Sequence, residues 1–510
     1  MFKIIRKKGV TFKKRTGTGT TYMPLFLLCL LVVLIGCATV SSPTPIEPTH
    51  VLSSEIETIL GDPLLAASNV GVKVVSLSNG RVIYENDADK LYHPASTMKL
   101  ITAAAALVKL GPNYRFHTTL FADGVEDDNV IGNLYLQGRG DPKFDSGDLE
   151  KFTEKLSAMG VKSIDGDIVV DESYFDDIRR GKGWMWDDGP LGGYYSHLSA
   201  LTINHNGVRV RVSPGRNIDD PVDVHLEPPT RYMKVVNEAA TVTASDATRL
   251  SIKRQWKPVE ANVLTIRGSM EIGQADVNRQ VDVVDPALYC GTLLKEKLAQ
   301  NGIMFRGSIR HGVVPERALK IANHVSVPLS RILWGMNKSS DNLTAELILK
   351  TIGAELKGAP GTAQKGIAAI GEFLKEIGLD NSRYTLADGS GVSRYNLVTA
   401  SALTSLLTYM FNNFAMMPEY LVSLPIAGVD GTLKRRMNDM RAGGILRAKT
   451  GTMRGVSTLA GYTMTAEGEI LAFAVLMSNF KGSANLRRSL QDKIGDALTR
   501  FSRDSNEETR

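Results

Sequence analysis

The sequence predicts an α/β protein whose principal domain is split by a large β-rich insertion. Three observations lead there. Strand and helix patterns alternate from about residue 52, a series of short turn-bounded strand patterns fills the middle of the chain, and long amphipathic helices return after "VPLSRILWGMN" (327–337). A chain of 510 residues is also too long for one small core, so more than one domain is expected.

Taken in order, the first 36 residues carry seven basic side chains (Lys3, Arg6, Lys7, Lys8, Lys13, Lys14, Arg15) and no acidic one, ahead of the apolar run "MPLFLLCLLVVLI" (23–35). That run falls short of the roughly 18–20 residues that span a bilayer and fits the core of a signal peptide over 1–36. It ends in "LIGC", with Cys37 after Gly36, which resembles the lipobox of bacterial lipoproteins. Cleavage before Cys37 would expose it for lipidation. The next stretch, "ATVSSPTPIEPT" (38–49), has three prolines and no apolar periodicity, so residues 37–51 are expected to be a loose tether. Ala38, rather than Asp, after the cysteine favours the outer membrane of a two-membrane cell. The expected location is exported and periplasmic, with a lipid anchor as the contact to the membrane.

Within the body, "GVKVVSLSNGRVIYEN" (71–86) reads as a hairpin around Ser78-Asn79-Gly80. Pro94 marks the boundary before a helix through "STMKLITAAAALVKL" (96–110), which Gly111-Pro112 stops. Strand patterns follow at "NLYLQG" (133–138), "GDIVVDES" (166–173), "GVRVRVSPG" (207–215) and "VDVHLEPP" (222–229). One helix-like segment, "PALYCGTLLKEKLAQNG" (286–302), interrupts this β-rich region. Amphipathic helices then lead to "STLAGYTMTAEGEILAFAVLMSN" (457–479), a closing hairpin, and a polar tail over 503–510. The expected limits are 52–115 and 314–502 for the principal domain and 116–313 for the insertion.

Composition excludes several functions. The net charge of +6 invites a nucleic-acid reading, but without the basic leader 53 basic residues face 54 acidic ones, so no nucleic-acid partner is expected. Of three cysteines, Cys29 lies in the leader and Cys37 at its cleavage point, which leaves Cys290 without an intrachain disulfide partner. The eight histidines show no HExxH spacing and there is no CxxC, so neither a metal nor a cofactor is expected.

The candidate chemistry falls only on the two outer pieces. Ser96 and Lys99 stand at i and i+3 on the helix start, where both side chains share one face. A serine hydroxyl needs a base to become a nucleophile, and a lysine serves if burial and a like charge lower its pKa. Alone, Ser-x-x-Lys is an ordinary helix start, Ser340-Asp341-Asn342 a capping sequence, and Lys449-Thr450-Gly451-Thr452 a polar strand. Together, in this order, they form the signature of the penicillin-recognising serine enzymes.

With "GDPKF", "DPALY", "ADGSGVSRYNLVT" (387–399) and "LPIAGVDGTLKRRM" (424–437), the chain resembles the D-alanyl-D-alanine carboxypeptidase/endopeptidase family, the low-molecular-mass class C penicillin-binding proteins. The resemblance covers roughly residues 55–500. It implies a penicillin-recognising, serine transpeptidase-like (β-lactamase-like) domain, a sheet flanked by helices, with peptidoglycan peptides and β-lactams as partners, and a serine-type DD-carboxypeptidase activity, with DD-endopeptidase cleavage of cross-links as a second activity, through an acyl-serine intermediate. It also implies roles. Ser96 would attack the carbonyl between two D-alanines, Lys99 would take its proton, and Ser340 would relay that proton to the leaving amine. Asn342 would hold the substrate amide and Lys99. Lys449, Thr450 and Thr452 would bind the terminal carboxylate, and Gly451 would let the ligand approach the backbone. The alternatives are a serine β-lactamase, whose Glu-x-x-Leu-Asn loop is missing here, and a non-catalytic wall-binding lipoprotein, which would have no use for Lys99 or Ser340. Asp341 is expected to cap a helix, "GAPGTAQKG" (358–366) to connect two helices, and Trp184 and Trp186 to pack the insertion. No feature points to an oligomeric state.

Overall fold

The computed structural model describes residues 48–184, 196–246, 248–254 and 262–503. The signal-like leader, Cys37, Trp186 and the end of the polar tail lie outside the described residues. Among the described residues no helix is long and apolar enough to cross a membrane.

The two ends of the chain build one sheet. Asn69–Ser76 and Val82–Asn86 form the first expected hairpin, and Val456–Met464 and Ile470–Ser478 form the closing one. Asn69–Ser76 pairs with Ile470–Ser478, and Arg447–Met453 adds outside Val456–Met464, so five antiparallel strands join. Helices cover both faces, which is why Ile470–Ser478 is apolar nearly throughout. Leu471, Phe473, Val475 and Met477 pack with the helices Pro48–Leu60 and Ala484–Arg500. Ala472, Ala474 and Leu476 face the other side, where the small residues admit Ala400–Asn412 close to the strand. That helix buries Leu403, Leu406, Leu407 and Met410 completely, each worth about 1.5–3 kcal/mol in apolar burial. Met98–Leu110 runs through the centre of this helical side. Its run Ala103–Ala106 has no exposed surface, and the small side chains let Leu329–Ser339, Asn342–Lys357 and Ala363–Glu376 close around it.

Between the two halves lie a seven-stranded sheet and two three-stranded sheets around a shared core. The strand patterns expected from the sequence fall in Asn129–Gly138, Ile168–Asp171, Gly207–Ser213 and Asp223–Glu227, and the helix in Pro286–Gln300. Three expectations move. Leu319–Val325 pairs with His117–Glu126, so the sheet of the insertion is completed by residues beyond 313, and helical structure resumes at Leu329. Pro48–Leu60 begins inside the expected tether, because Leu52 and Ile56 are buried in the core of the terminal helices. A second helix of the insertion, Ser146–Ala158, follows the Asp145 cap and buries Leu149, Phe152 and Leu156 at the i, i+3, i+7 spacing of one helix face, a signal the sequence reading passed over.

One grip of the insertion on the principal domain falls on the helix Asn342–Lys357. Tyr174, Phe175, Leu198 and Ala200 pack with Leu343, Leu347 and Ala354 of Asn342–Lys357. Lys350 of that helix pairs with Asp176 and donates to Ile178 O at 2.8 Å. These contacts fix the helix whose first residues belong to the cleft.

Candidate active site

The Ser96 turn is held on three sides. Pro94 ends the preceding strand-like segment, Ala95 takes a left-handed φ of 46°, and Ala95–Thr97 makes one tight turn before the helix. Thr97 Oγ1 and Thr458 Oγ1 both donate to Pro94 O, at 2.6 and 2.8 Å. Gly451 lies so close that a Cβ there would stand 2.9 Å from Ser96 N and 2.8 Å from Pro94 O. On the other side Gly391 has φ of 85°, and a Cβ there would meet Ala95 O at 1.8 Å. Ser96 is therefore wedged between the Arg447–Met453 strand and the 388–391 turn. Its hydroxyl caps no helix and instead accepts from Lys99.

Lys99 Nζ donates to Ser96 Oγ at 3.0 Å, Asn342 Oδ1 at 2.7 Å and Ser390 O at 2.6 Å. The side chain has no exposed surface. Burial pulls its pKa down to about 8, against the opposing pull of Asp388, Glu346 and Asp341. Lys449, equally buried, donates to Ser340 Oγ at 2.9 Å and Thr450 O at 2.9 Å. Its pKa is held well below the usual lysine range by burial and by the charge of Lys99. For Lys99 burial is thus the dominant cause, where a neighbouring cation had been expected to share the work.

Ser340 closes the helix Leu329–Ser339 in a left-handed conformation, φ 60° and ψ 40°. This turn lets Asn342 start the next helix with its amide toward Lys99. Asp341 caps that helix, accepting from Thr344 N at 3.2 Å and Thr344 Oγ1 at 2.6 Å, and His205 Nε2 of the insertion lies 2.8 Å away. Burial works to raise the Asp341 carboxyl, but His205 and Thr344 hold it well below the usual carboxylate range. Thr450, Thr452, Ser340 and Ser96 line one cavity of about 750 Å³, while Lys449 lies beneath its wall.

Sequence reasoning missed a layer behind these residues. Glu346 is buried and accepts from Gly389 N at 3.0 Å and Ser390 N at 2.7 Å, so it aims Ser390 O at Lys99. Its carboxyl is raised by burial and by Asp388. Asp388 accepts from Gly391 N at 2.7 Å, Ser393 N at 2.6 Å and Trp184 Nε1 at 3.0 Å. The tryptophan expected only to pack the insertion therefore pins the turn that carries Ser390. A signal for Glu346 was available: it follows Asn342 by four residues, hence on the same helix face. Elsewhere, Glu172, Asp285 and His311 bring ligand atoms within 4.8 Å of one another. Glu172 is occupied by Arg179 and Ser199, and Asp285 caps Pro286–Gln300, so the group is explained as an ion-pair network.

The chain is similar to known proteins over most of its length. The sequence pattern of the D-Ala-D-Ala carboxypeptidase 3 (S13) family matches residues 52–500. The chain is 36% identical over 511 residues to a D-alanyl-D-alanine carboxypeptidase of Actinomadura sp. (strain R39), covering 97% of this chain and 92% of that protein. It is 29% identical over 431 residues to the D-alanyl-D-alanine carboxypeptidase DacB of Haemophilus influenzae, covering 82% of this chain and 88% of that protein. The crystal structure of penicillin binding protein 4 from Haemophilus influenzae superposes with a TM-score of 0.76 at 27% identity, over 87% of this chain and 98% of that one. The same protein complexed with a β-lactam gives 0.71 at 25% identity, over 86% of this chain and 98% of that one.

Proposed function

The chain belongs to the D-Ala-D-Ala carboxypeptidase 3 (S13) family, and from that premise we propose how its cleft works. It is a serine-type D-alanyl-D-alanine carboxypeptidase that acts on peptidoglycan stem peptides through an acyl-serine intermediate and takes β-lactams in place of substrate. The observation that carries the residue roles is the pair of buried lysines, each on a serine: Lys99 at 3.0 Å from Ser96 and Lys449 at 2.9 Å from Ser340.

In our reading Lys99 is the base. A neutral amine has two hydrogens, and Asn342 Oδ1 and Ser390 O accept both, so its lone pair is left for the Ser96 hydroxyl proton. Ser96 Oγ then attacks the carbonyl carbon of the penultimate D-alanine. Backbone N–H groups of Ser96 and Thr452 receive the oxyanion, worth about 3–4 kcal/mol per donor in other hydrolases. Ser340 relays a proton to the leaving amine, and Asn342 orients the substrate amide. Thr450 and Thr452 hold the terminal carboxylate, with Lys449 beneath them donating to Ser340 and Gly451 keeping the strand close to the nucleophile. Intact-mass measurement after brief exposure to benzylpenicillin tests the assignment: one covalent adduct is expected on the wild type and none on Ser96→Ala. An adduct that survives in Ser96→Ala would sink it, and release of D-alanine from a peptide ending in D-Ala-D-Ala tests the activity directly.

The same reading places the enzyme outside the cytoplasm, tethered through a lipidated Cys37 after removal of residues 1–36. The basic leader, the short apolar core and "LIGC" support it. Growth with a labelled fatty acid is expected to label the wild type and leave Cys37→Ser unlabelled; an unlabelled wild type overturns the anchor.

A further inference from the structure

The cavity continues past the carboxylate clamp. Beyond Thr450 and Thr452 its wall carries three arginines, Arg435, Arg436 and Arg488, against one acidic residue, Asp492. The three differ. Arg436 is neutralised: its Nε donates to Asp492 Oδ1 at 2.8 Å, and its Nη2 donates to Arg488 O and to Gln491 Oε1. Arg488 donates through Nη1 to Asn485 Oδ1 at 2.9 Å and through Nη2 to Thr452 Oγ1 at 3.0 Å, and it has no carboxylate within ion-pair distance among the described residues. Arg435 is exposed in the cavity wall and makes no hydrogen bond or ion pair with a described residue.

A guanidinium offers five N–H donors in a fixed fork, matched to a carboxylate. Two such forks with open donors stand beside the residues that hold the substrate's terminal carboxylate. Burial and the neighbouring Arg436 charge also work against the charge on Arg488, with Asp492 offsetting only part of this, so a further anion in the cavity would favour the charged form. A leaving group with a single carboxylate would engage Thr450 and Thr452, with Arg488 beside Thr452, and would leave the Arg435 fork unused.

We propose that Arg435 and Arg488 form a second anion subsite on the leaving-group side of the scissile bond, which selects substrates whose leaving amine carries a further carboxylate. This rests on the peptidase reading above, because that reading puts the first carboxylate at Thr450 and Thr452. Two sources share the chemistry: an acidic side chain on the terminal D-amino acid, or a second peptide strand that bears its own free carboxylate.

The test is a ratio of kcat/KM values between charged and neutral partners. One arm compares acyl-D-Ala-D-Glu with acyl-D-Ala-D-Gln, and the other compares a cross-linked dipeptide strand with the same strand amidated at its free carboxylate. In the wild type the charged member of at least one pair is expected to be preferred about tenfold, the worth of a hydrogen bond to a charged group. The preference should shrink in high salt, since the cleft is open to solvent. In Arg435→Ala and Arg488→Ala the ratio should fall toward one, whatever the absolute rates, because a misfolded fraction lowers both members alike. Preference in the first arm identifies the side chain as the source, and preference in the second identifies the other strand. Equal rates within both pairs for the wild type, or a preference that both variants retain, would overturn the subsite. If the wild type releases no D-alanine from a D-Ala-D-Ala peptide, the peptidase reading falls first and takes the subsite with it.

Discussion

Buried ammonium groups are expensive to keep charged, and this cleft holds two of them. With burial setting Lys99 near pH 8, its neutral, proton-accepting form grows as the pH rises through that value. The rate of acylation by benzylpenicillin is therefore expected to climb with pH and level off above about 8, as a stopped-flow pH profile would show. Glu346→Gln keeps an oxygen for Gly389 N and Ser390 N but removes a negative charge that favours protonated Lys99. Its profile should move to lower pH, and an unmoved profile would mean that Glu346 only supports the turn. At this scale the sequence was legible where chemistry comes in short motifs: Ser96 with Lys99, Ser340 with Asn342, Lys449 with its threonines. It was silent on Ser390, which contributes a main-chain carbonyl, and on Arg488, which reaches Thr452 across 36 residues of chain. Neither contribution leaves a pattern in side-chain identity.

Among the elements, the turn Ala95–Thr97 depends on how closely its neighbours approach. Gly391 combines a left-handed φ of 85° with a place where a Cβ would stand 1.8 Å from Ala95 O. Gly391→Ala should push the turn and Ser96 out of line, lowering the acylation rate by about a hundredfold, as small misplacements of reacting groups do. A rate within threefold of wild type would show that the turn tolerates displacement. The hairpins and the long helices were legible because their apolar periods are long. Ser146–Ala158 carried the same kind of signal in Leu149, Phe152 and Leu156 and was passed over, whereas Leu319–Val325 was not legible, because its partner strand His117–Glu126 lies about 200 residues earlier, well beyond the reach of local pattern.

At the level of the whole molecule, the insertion acts as a brace on the cleft. Phe175 packs on Asn342–Lys357, His205 meets Asp341, and Trp184 meets Asp388, so three of its residues steady the two segments that position Lys99. Phe175→Ala should cost about 3–5 kcal/mol in denaturant unfolding, the usual range for emptying a buried phenylalanine site. It should also slow acylation even in the fraction that remains folded, measured by active-site titration. Unchanged acylation in the folded fraction would mean that the brace supports stability alone.

The central sheet has a consequence in time. Asn69–Ser76 emerges early in synthesis, but its partner Ile470–Ser478 follows roughly 400 residues later, and the strand that presses Gly451 against the Ser96 turn comes just before it. Until those last strands are made, Ser96 has no opposite wall. The order of the chain thus leaves the Ser96 turn without the Gly451 strand against it until most of the polypeptide has been made.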